Sequence, residues 1–167
     1  MGIPTWSSGQ VLTASDVNTW FVPLAVVKSA DESVTSSTTV QNDDELVLSV
    51  AASCTYAFDL FIIYEGGTQG SSDLKMQYTL PAGATGHLDV VYLDSSGGQH
   101  SAGDNTASST WTAGTAGAGN NKLFFGRGIV VISSTAGSLQ IQWAQGTSSG
   151  TATKVKTNSY MMLRRLA

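Results

Sequence analysis

One cysteine in 167 residues, Cys54, leaves no partner for an internal disulfide and no thiolate set for a zinc cluster. It directly precedes an apolar segment, where a thiol is expected to be buried and inert. Histidine is almost as scarce. His87 and His100 are the only two, and neither falls in a metal-ligand run, so both are expected to face solvent and no metal is expected. Charged residues make up 12% of the chain, against roughly 25% in an average domain. The acidic groups Asp43-Asp44-Glu45, and Asp94 with Asp104, lack the twelve-residue spacing of an EF-hand and read as turn carboxylates. No stretch approaches the roughly 20 apolar residues that span a bilayer, and no basic leader precedes an apolar run. Synthesis and assembly in the cytoplasm, without a membrane partner, is the expectation.

Catalytic signatures are missing too. Ser and Thr are abundant, but there is no G-x-S-x-G elbow, and the histidines support no triad. Gly126-Arg127-Gly128 lacks the strand-to-helix setting and the following Lys-Ser/Thr of a phosphate loop. Asp59 and Glu65 lie six residues apart on one strand, roughly 20 Å, too far for paired-carboxylate glycosidase chemistry. Neither an enzyme nor a cofactor is expected. A net charge of -4 and a pI of about 4.8 argue against a nucleic-acid partner. The charge is segregated, with Asp31, Glu32, Asp43, Asp44 and Glu45 early and Lys154, Lys156, Arg164 and Arg165 late. Such groups either meet across subunits or form ordinary solvated patches.

What is present is β-pattern. The chain is organised around Tyr56 to Glu65, where Tyr56, Phe58, Leu60, Ile62 and Tyr64 share one apolar face. Ala57, Asp59, Phe61, Ile63 and Glu65 share the other, which is apolar in part and suits a second covered surface such as a subunit contact. Further strands are expected at Leu24 to Lys28, Ser33 to Val40 and Leu46 to Val50, with turns at Asp31-Glu32 and Asp43-Asp44. Leu74 to Leu80 and His87 to Leu93 follow, then a turn-rich Asp94 to Gly103, a short strand in Thr106 to Thr112 and an exposed loop at Ala113 to Asn121. Leu123 to Ser133, with Gly126 and Gly128 marking a bulge or close backbone approach, is expected to pair as a hairpin with Leu139 to Ala144. Thr151 to Val155 and Ser159 to Leu166 end the chain, with Tyr160, Met162 and Leu166 inward and Met161 and Leu163 outward. The fold expected is all-β: one antiparallel β-sandwich, jelly-roll-like, over residues 24–167.

Residues 1–23 form a separate unit. Thr13 caps a short helix with Asp16 at its third position, Leu12 and Val17 have the spacing of a hydrophobic staple, and Pro23 lies past the end. Two turns of helix do not hold themselves together in water, so Trp6, Val11, Leu12, Val17, Trp20 and Phe21 need a surface, either the chain's own sandwich or a neighbour's.

The phrase Trp6-Ser7-Ser8-Gly9-Gln10-Val11-Leu12-Thr13-Ala14-Ser15-Asp16-Val17-Asn18 resembles the opening of small structural proteins of tailed bacteriophages, especially those infecting actinobacteria. Residues 25–34, 42–46 and the 56–65 strand resemble β-rich virion proteins of that group, as does the closing Tyr160 to Ala167. The middle Gly/Ser/Thr region departs from them. The resemblance implies an accessory virion component: a capsid decoration protein first, with a head-fibre or minor tail protein that binds host-surface carbohydrate as the alternative. On that reading Trp6, Leu12, Val17, Trp20 and Phe21 anchor the chain to the major capsid protein or a neighbouring virion protein. A homo-oligomer is expected, a trimer being one arrangement that buries aromatic edges around an axis. For the carbohydrate reading Trp111, beside the turn-rich region, is the stacking candidate, while Trp143 in an alternating strand belongs to the core.

Overall fold

The computed structural model describes residues 4–68, 70–94, 96, 98–104 and 107–167. Met1 to Ile3 of the N-terminal unit, and Thr106, where a strand was expected to start, lie outside the described residues, as does the side chain of Asp104. A helix α1 (Ala14–Trp20) precedes twelve strands: β1 (Leu24–Val27), β2 (Glu32–Val34), β3 (Gln41–Val50), β4 (Thr55–Glu65), β5 (Leu74–Thr79), β6 (Thr85–Leu93), β7 (Gln99–Asp104), β8 (Trp111–Ala113), β9 (Lys122–Val131), β10 (Gly137–Gln145), β11 (Thr153–Val155) and β12 (Tyr160–Arg165). They form two antiparallel sheets in a sandwich-like arrangement. The larger runs β1-β12-β4-β9-β6-β7, with β11 beside the far end of β4 and β2 beside β11; the smaller runs β3-β10-β5-β8.

The alternation that marks β4 sets the core. Tyr56, Phe58, Leu60, Ile62 and Tyr64 are all buried, and β4 is flanked by β12 and β9 along most of its length. Leu74, Met76 and Tyr78 of β5, with Leu139, Ile141 and Trp143 of β10, face them from the smaller sheet. Period-2 patterns of this kind fix which side of a strand is dry, and here they did so as expected. Cys54 is buried, as expected.

Several expectations are corrected. β9 and β10 are not a hairpin: β9 lies between β4 and β6, while β10 lies between β3 and β5 in the other sheet. The short link from buried Ile132 therefore crosses the sandwich. In β12 the phase is reversed, with Met161 and Leu163 buried and Tyr160 exposed. Both faces of Tyr-Met-Met-Leu carry apolar groups, so alternation there has no sign to read. The turn-rich reading of Asp94 to Gly103 gives way to β7, and the strand expected over Ser33 to Val40 shrinks to β2, which begins at Glu32 inside the expected turn. Gly114 and Thr115 of the loop expected to be exposed are buried. The Thr115 amide donates to Asp73 Oδ1 and its hydroxyl to the Gly67 carbonyl.

Asp43 and Asp44 sit inside β3, not in a turn before it. The pairing of β3 with β10 shifts register between Gln140↔Val47 and Gln142↔Asn42. A bulge at this shift frees backbone amides, and the Asp43 side chain takes up two of them, Glu45 N–H and Leu46 N–H. The acidic turn signal was real, but the turn it makes is a bulge within a continuous strand.

Candidate functional site

The N-terminal segment folds locally as its sequence predicts. The Thr13 amide donates to Asp16 Oδ2 at 2.9 Å and the Asp16 amide to Thr13 Oγ1 at 3.1 Å, a reciprocal capping box. The Thr13 hydroxyl also donates to Asp16 Oδ2, at 2.6 Å, and this bond first, with that of the Thr13 amide, holds the Asp16 carboxyl below its ordinary range. The helix buries none of its residues. Trp6 leans on Phe21 with ring centroids 5.3 Å apart, and the Arg165 guanidinium lies 4.4 Å from the centre of the Trp20 ring. Leu12, Val17, Phe21 and Val22 stay exposed, and Val11 is 83% exposed. Of the five expected anchoring residues, Trp6 and Trp20 are half-buried against this chain, and Leu12, Val17 and Phe21 face outward.

A second cluster was not legible as a site. Lys28, at the end of β1, is buried; its Nζ donates to Asp43 Oδ1 at 2.8 Å, Asp43 Oδ2 at 2.9 Å and Glu32 Oε2 at 2.9 Å. Trp143 Nε1 donates to Asp43 Oδ2 at 3.1 Å. The cluster ties the larger sheet to the smaller. Burial pulls the Lys28 pKa down, but hydrogen bonds to Asp43 and Glu32 outweigh it, and the ammonium is held above its ordinary value. A lysine kept protonated has no lone pair for nucleophilic work. This is a structural ion pair.

The charge segregation seen in the sequence is met in part within one chain. Lys156 Nζ lies 2.5 Å from Asp31 Oδ2, and Lys154 Nζ 2.7 Å from Glu65 Oε1. The Lys154 hydrogen bond is the main cause that lowers the Glu65 pKa, as the Lys156 bond lowers that of Asp31 and the Ser29 amide that of Glu45. A carboxylate whose folded pKa is depressed stabilises the fold above its unfolded pKa, and that stability is lost as pH falls through the folded value. Urea midpoints should therefore hold at neutral pH and fall below the ordinary Glu value of 4.5, with Glu65→Gln reducing the fall. A midpoint unchanged through the carboxylate range would contradict this.

The third surface is the outward side of the larger sheet. One register row across it reads Val27, Tyr160, Phe61, Phe125, Val91. Phe61 stacks on Tyr160 at 5.4 Å and 14° and meets Phe125 edge-on at 5.1 Å. The next row is polar: Asp59, Arg127 and Asp89 are register neighbours, and Arg127 Nε donates to Asp59 Oδ1 at 2.6 Å. Sequence reading caught the part-apolar back of β4 but not that Leu123, Phe125, Ile129 and Val131 continue it. The apolar pattern on both sides of β9 was the available signal.

Trp111 does not offer the platform expected of it. It is 5% exposed, one face stacked on Tyr78 at 6.0 Å and 12°, with Phe124 tilted against it. A sugar-stacking ring needs an open face, and the sandwich interior has closed this one. His87 and His100 are exposed. Among the described residues no group of three or more His, Cys, Asp or Glu is placed to hold a metal, and no helix is long and apolar enough to cross a membrane.

No protein-family model matches the chain, and no curated protein matches it. Among solved structures it is similar to the tripod (BppUct-A-L) from the baseplate of bacteriophage Tuc2009, at 11% identity and a TM-score of 0.36, over 96% of this chain and 73% of that one. It is also similar to infectious bursal disease virus, Gt strain, at 9% identity and a TM-score of 0.24, over 86% of this chain and 42% of that one.

Proposed function

We propose that the chain is an accessory structural protein of a virion, a jelly-roll-like sandwich held on the particle by its N-terminal segment, with the capsid surface as its place of attachment. The observation that carries this reading is the segment itself. It is capped and folded, yet it turns Val11, Leu12, Val17, Phe21 and Val22 to solvent and buries nothing in its helix. A seven-residue helix with that exposure gains its stability from another surface. The resemblance of residues 6–18 to the openings of phage structural proteins names the kind of surface: the major capsid protein or a neighbouring virion protein. Many copies bound to the assembled shell, and not to free subunits, stabilise the shell by linkage and strengthen attachment by multivalency.

Deleting residues 1–21 tests the anchoring role. The truncated sandwich should keep its β-sheet circular dichroism and melt within a few degrees of the full chain, because the segment contributes little beyond the Trp20–Arg165 contact. Its occupancy on purified particles should fall at least tenfold. Wild-type occupancy of the truncated protein would remove the role. Electron cryomicroscopy of intact particles fixes the location: density repeated over the shell supports decoration, and density confined to the tail replaces it with the tail-protein alternative.

A further inference from the structure

The two outward faces of the sandwich differ in kind. On the smaller sheet Lys75, Gln77, Gln140 and Gln142 face out, with Gln77 donating to Gln142 and Gln142 to Asn42, as suits a wet surface. On the larger sheet the outward residues of β9 read Leu123, Phe125, Arg127, Ile129, Val131, and the four apolar ones are each 42–45% exposed. Exposed apolar residues on both sides of the Asp59–Arg127–Asp89 row mark an interaction site.

We propose that this face is covered by a second copy of the same chain, packed about a two-fold axis through Arg127. The order along β9 is symmetric about that residue. A two-fold turn sets Phe125 against Ile129 and Leu123 against Val131 of the other copy, as an isologous contact requires. The arginine side chain is 86% exposed and stands above the face, while Asp59 and Asp89 flank it on the neighbouring strands. The two arginines meet at the axis, and each has to reach sideways, about one strand spacing of 4.8 Å, to the partner's Asp59 or Asp89. The face carries Asp59 and Asp89 against Arg127 and Arg164, so it has no net charge in a chain of net charge -4. Its size also fits. The six strands hold 4, 6, 11, 10, 9 and 6 residues, and at about 4.8 Å by about 3.4 Å per residue they cover roughly 750 Å², close to the roughly 800 Å² per partner of a standard interface.

A carbohydrate is the poorer occupant. Phe61 and Tyr160 turn a face each on the other, and Phe125 meets Phe61 at 67°, so two of the ring faces in the row are already taken. A sugar needs an open ring face. The inference does not rest on the virion reading, and loss of the N-terminal segment leaves it standing.

Sedimentation velocity on the full chain should give a mass of twice 17.4 kDa at micromolar concentration, unchanged by deletion of residues 1–21. Phe125→Glu, at a solvent-facing position, should weaken the dimer at least about thirtyfold with the circular dichroism intact. Arg127→Glu and Asp89→Arg should each weaken it, and mixing the two variants should restore a heterodimer, a rescue that a merely structural role would not produce. A monomer at all concentrations, a dimer indifferent to Phe125→Glu, a trimer, or a glycan bound by the monomer and lost in Phe125→Glu would each overturn the proposal.

Discussion

Lys28→Met will destabilise the sandwich by about 3–5 kcal/mol, the cost of breaking a buried ion pair by removing one partner. For a chain of this size that is a fall of roughly 6–20 °C in Tm. Methionine nearly fills the volume of the lysine stem, so a cavity is not the cause. What remains is Asp43, buried, and Glu32, 12% exposed, both facing a point where no cation stands. Trp143 Nε1 and the two bulge amides still donate to Asp43, but none of them bears a charge.

The pH profile separates this cause from lost packing. A lysine whose folded pKa is raised contributes stability that is complete below its ordinary value of 10.5 and disappears only as pH rises through the folded value. The pair therefore works at full strength throughout the neutral range. The gap between wild type and Lys28→Met should be full there and narrow only as pH rises through the raised Lys28 value. Removing Arg127 from its exposed pair with Asp59 should cost no more than about 1 kcal/mol. Urea titrations with constant m values give these differences. A Lys28→Met loss under about 1 kcal/mol would mean that water replaces the ammonium and that the cluster does not join the sheets.

The parts of this fold that the sequence displays are those where one face of a strand is wet. β5, with Leu74, Met76 and Tyr78 against Lys75, Gln77 and Thr79, has one dry side and one polar side, and its phase follows at once. The same test fails in β12 and leaves β9 with apolar groups on both sides. There, apolar residues on the outward side record a surface that the single chain does not cover. The missed register and the missed site thus have one physical origin. Lys28 and Asp43 were hidden for a different reason. They lie fifteen positions apart, Lys28 just past an apolar strand and Asp43 in a polar run, and only the crossing of β1 past the bulge in β3 brings them together. The short helix was legible down to its cap because Thr13 and Asp16 are three residues apart and answer each other locally.

Gly128→Ala should be the most damaging glycine-to-alanine change among the described residues. A Cβ at that position would lie 1.8 Å from the His87 carbonyl oxygen and 2.8 Å from Leu88 Cα, both backbone atoms of the neighbouring strand β6. A flexible side chain could swing aside, but a paired strand cannot, because β6 is held by β9 on one side and β7 on the other. Relief requires parting β6 from β9 across the Leu88↔Gly128 pair, with loss of ladder hydrogen bonds and of the packing of buried Leu88 and Val90. The expected cost exceeds about 4 kcal/mol, in the range where a domain of ordinary stability no longer accumulates in soluble form. Gly126→Ala, two residues away on the same side of the same strand, is the control. The nearest atoms to its Cβ would be side-chain atoms of Leu60 and Leu88, at 3.3 Å. Those atoms yield by a few tenths of an ångström, and the lost flexibility of the unfolded chain offsets part of the strain, so the change should stay within about 1 kcal/mol. Equal losses for the two variants in parallel chemical denaturation would show that β6 does not approach β9 so closely, and that the glycines serve the turn of the sheet rather than its pairing.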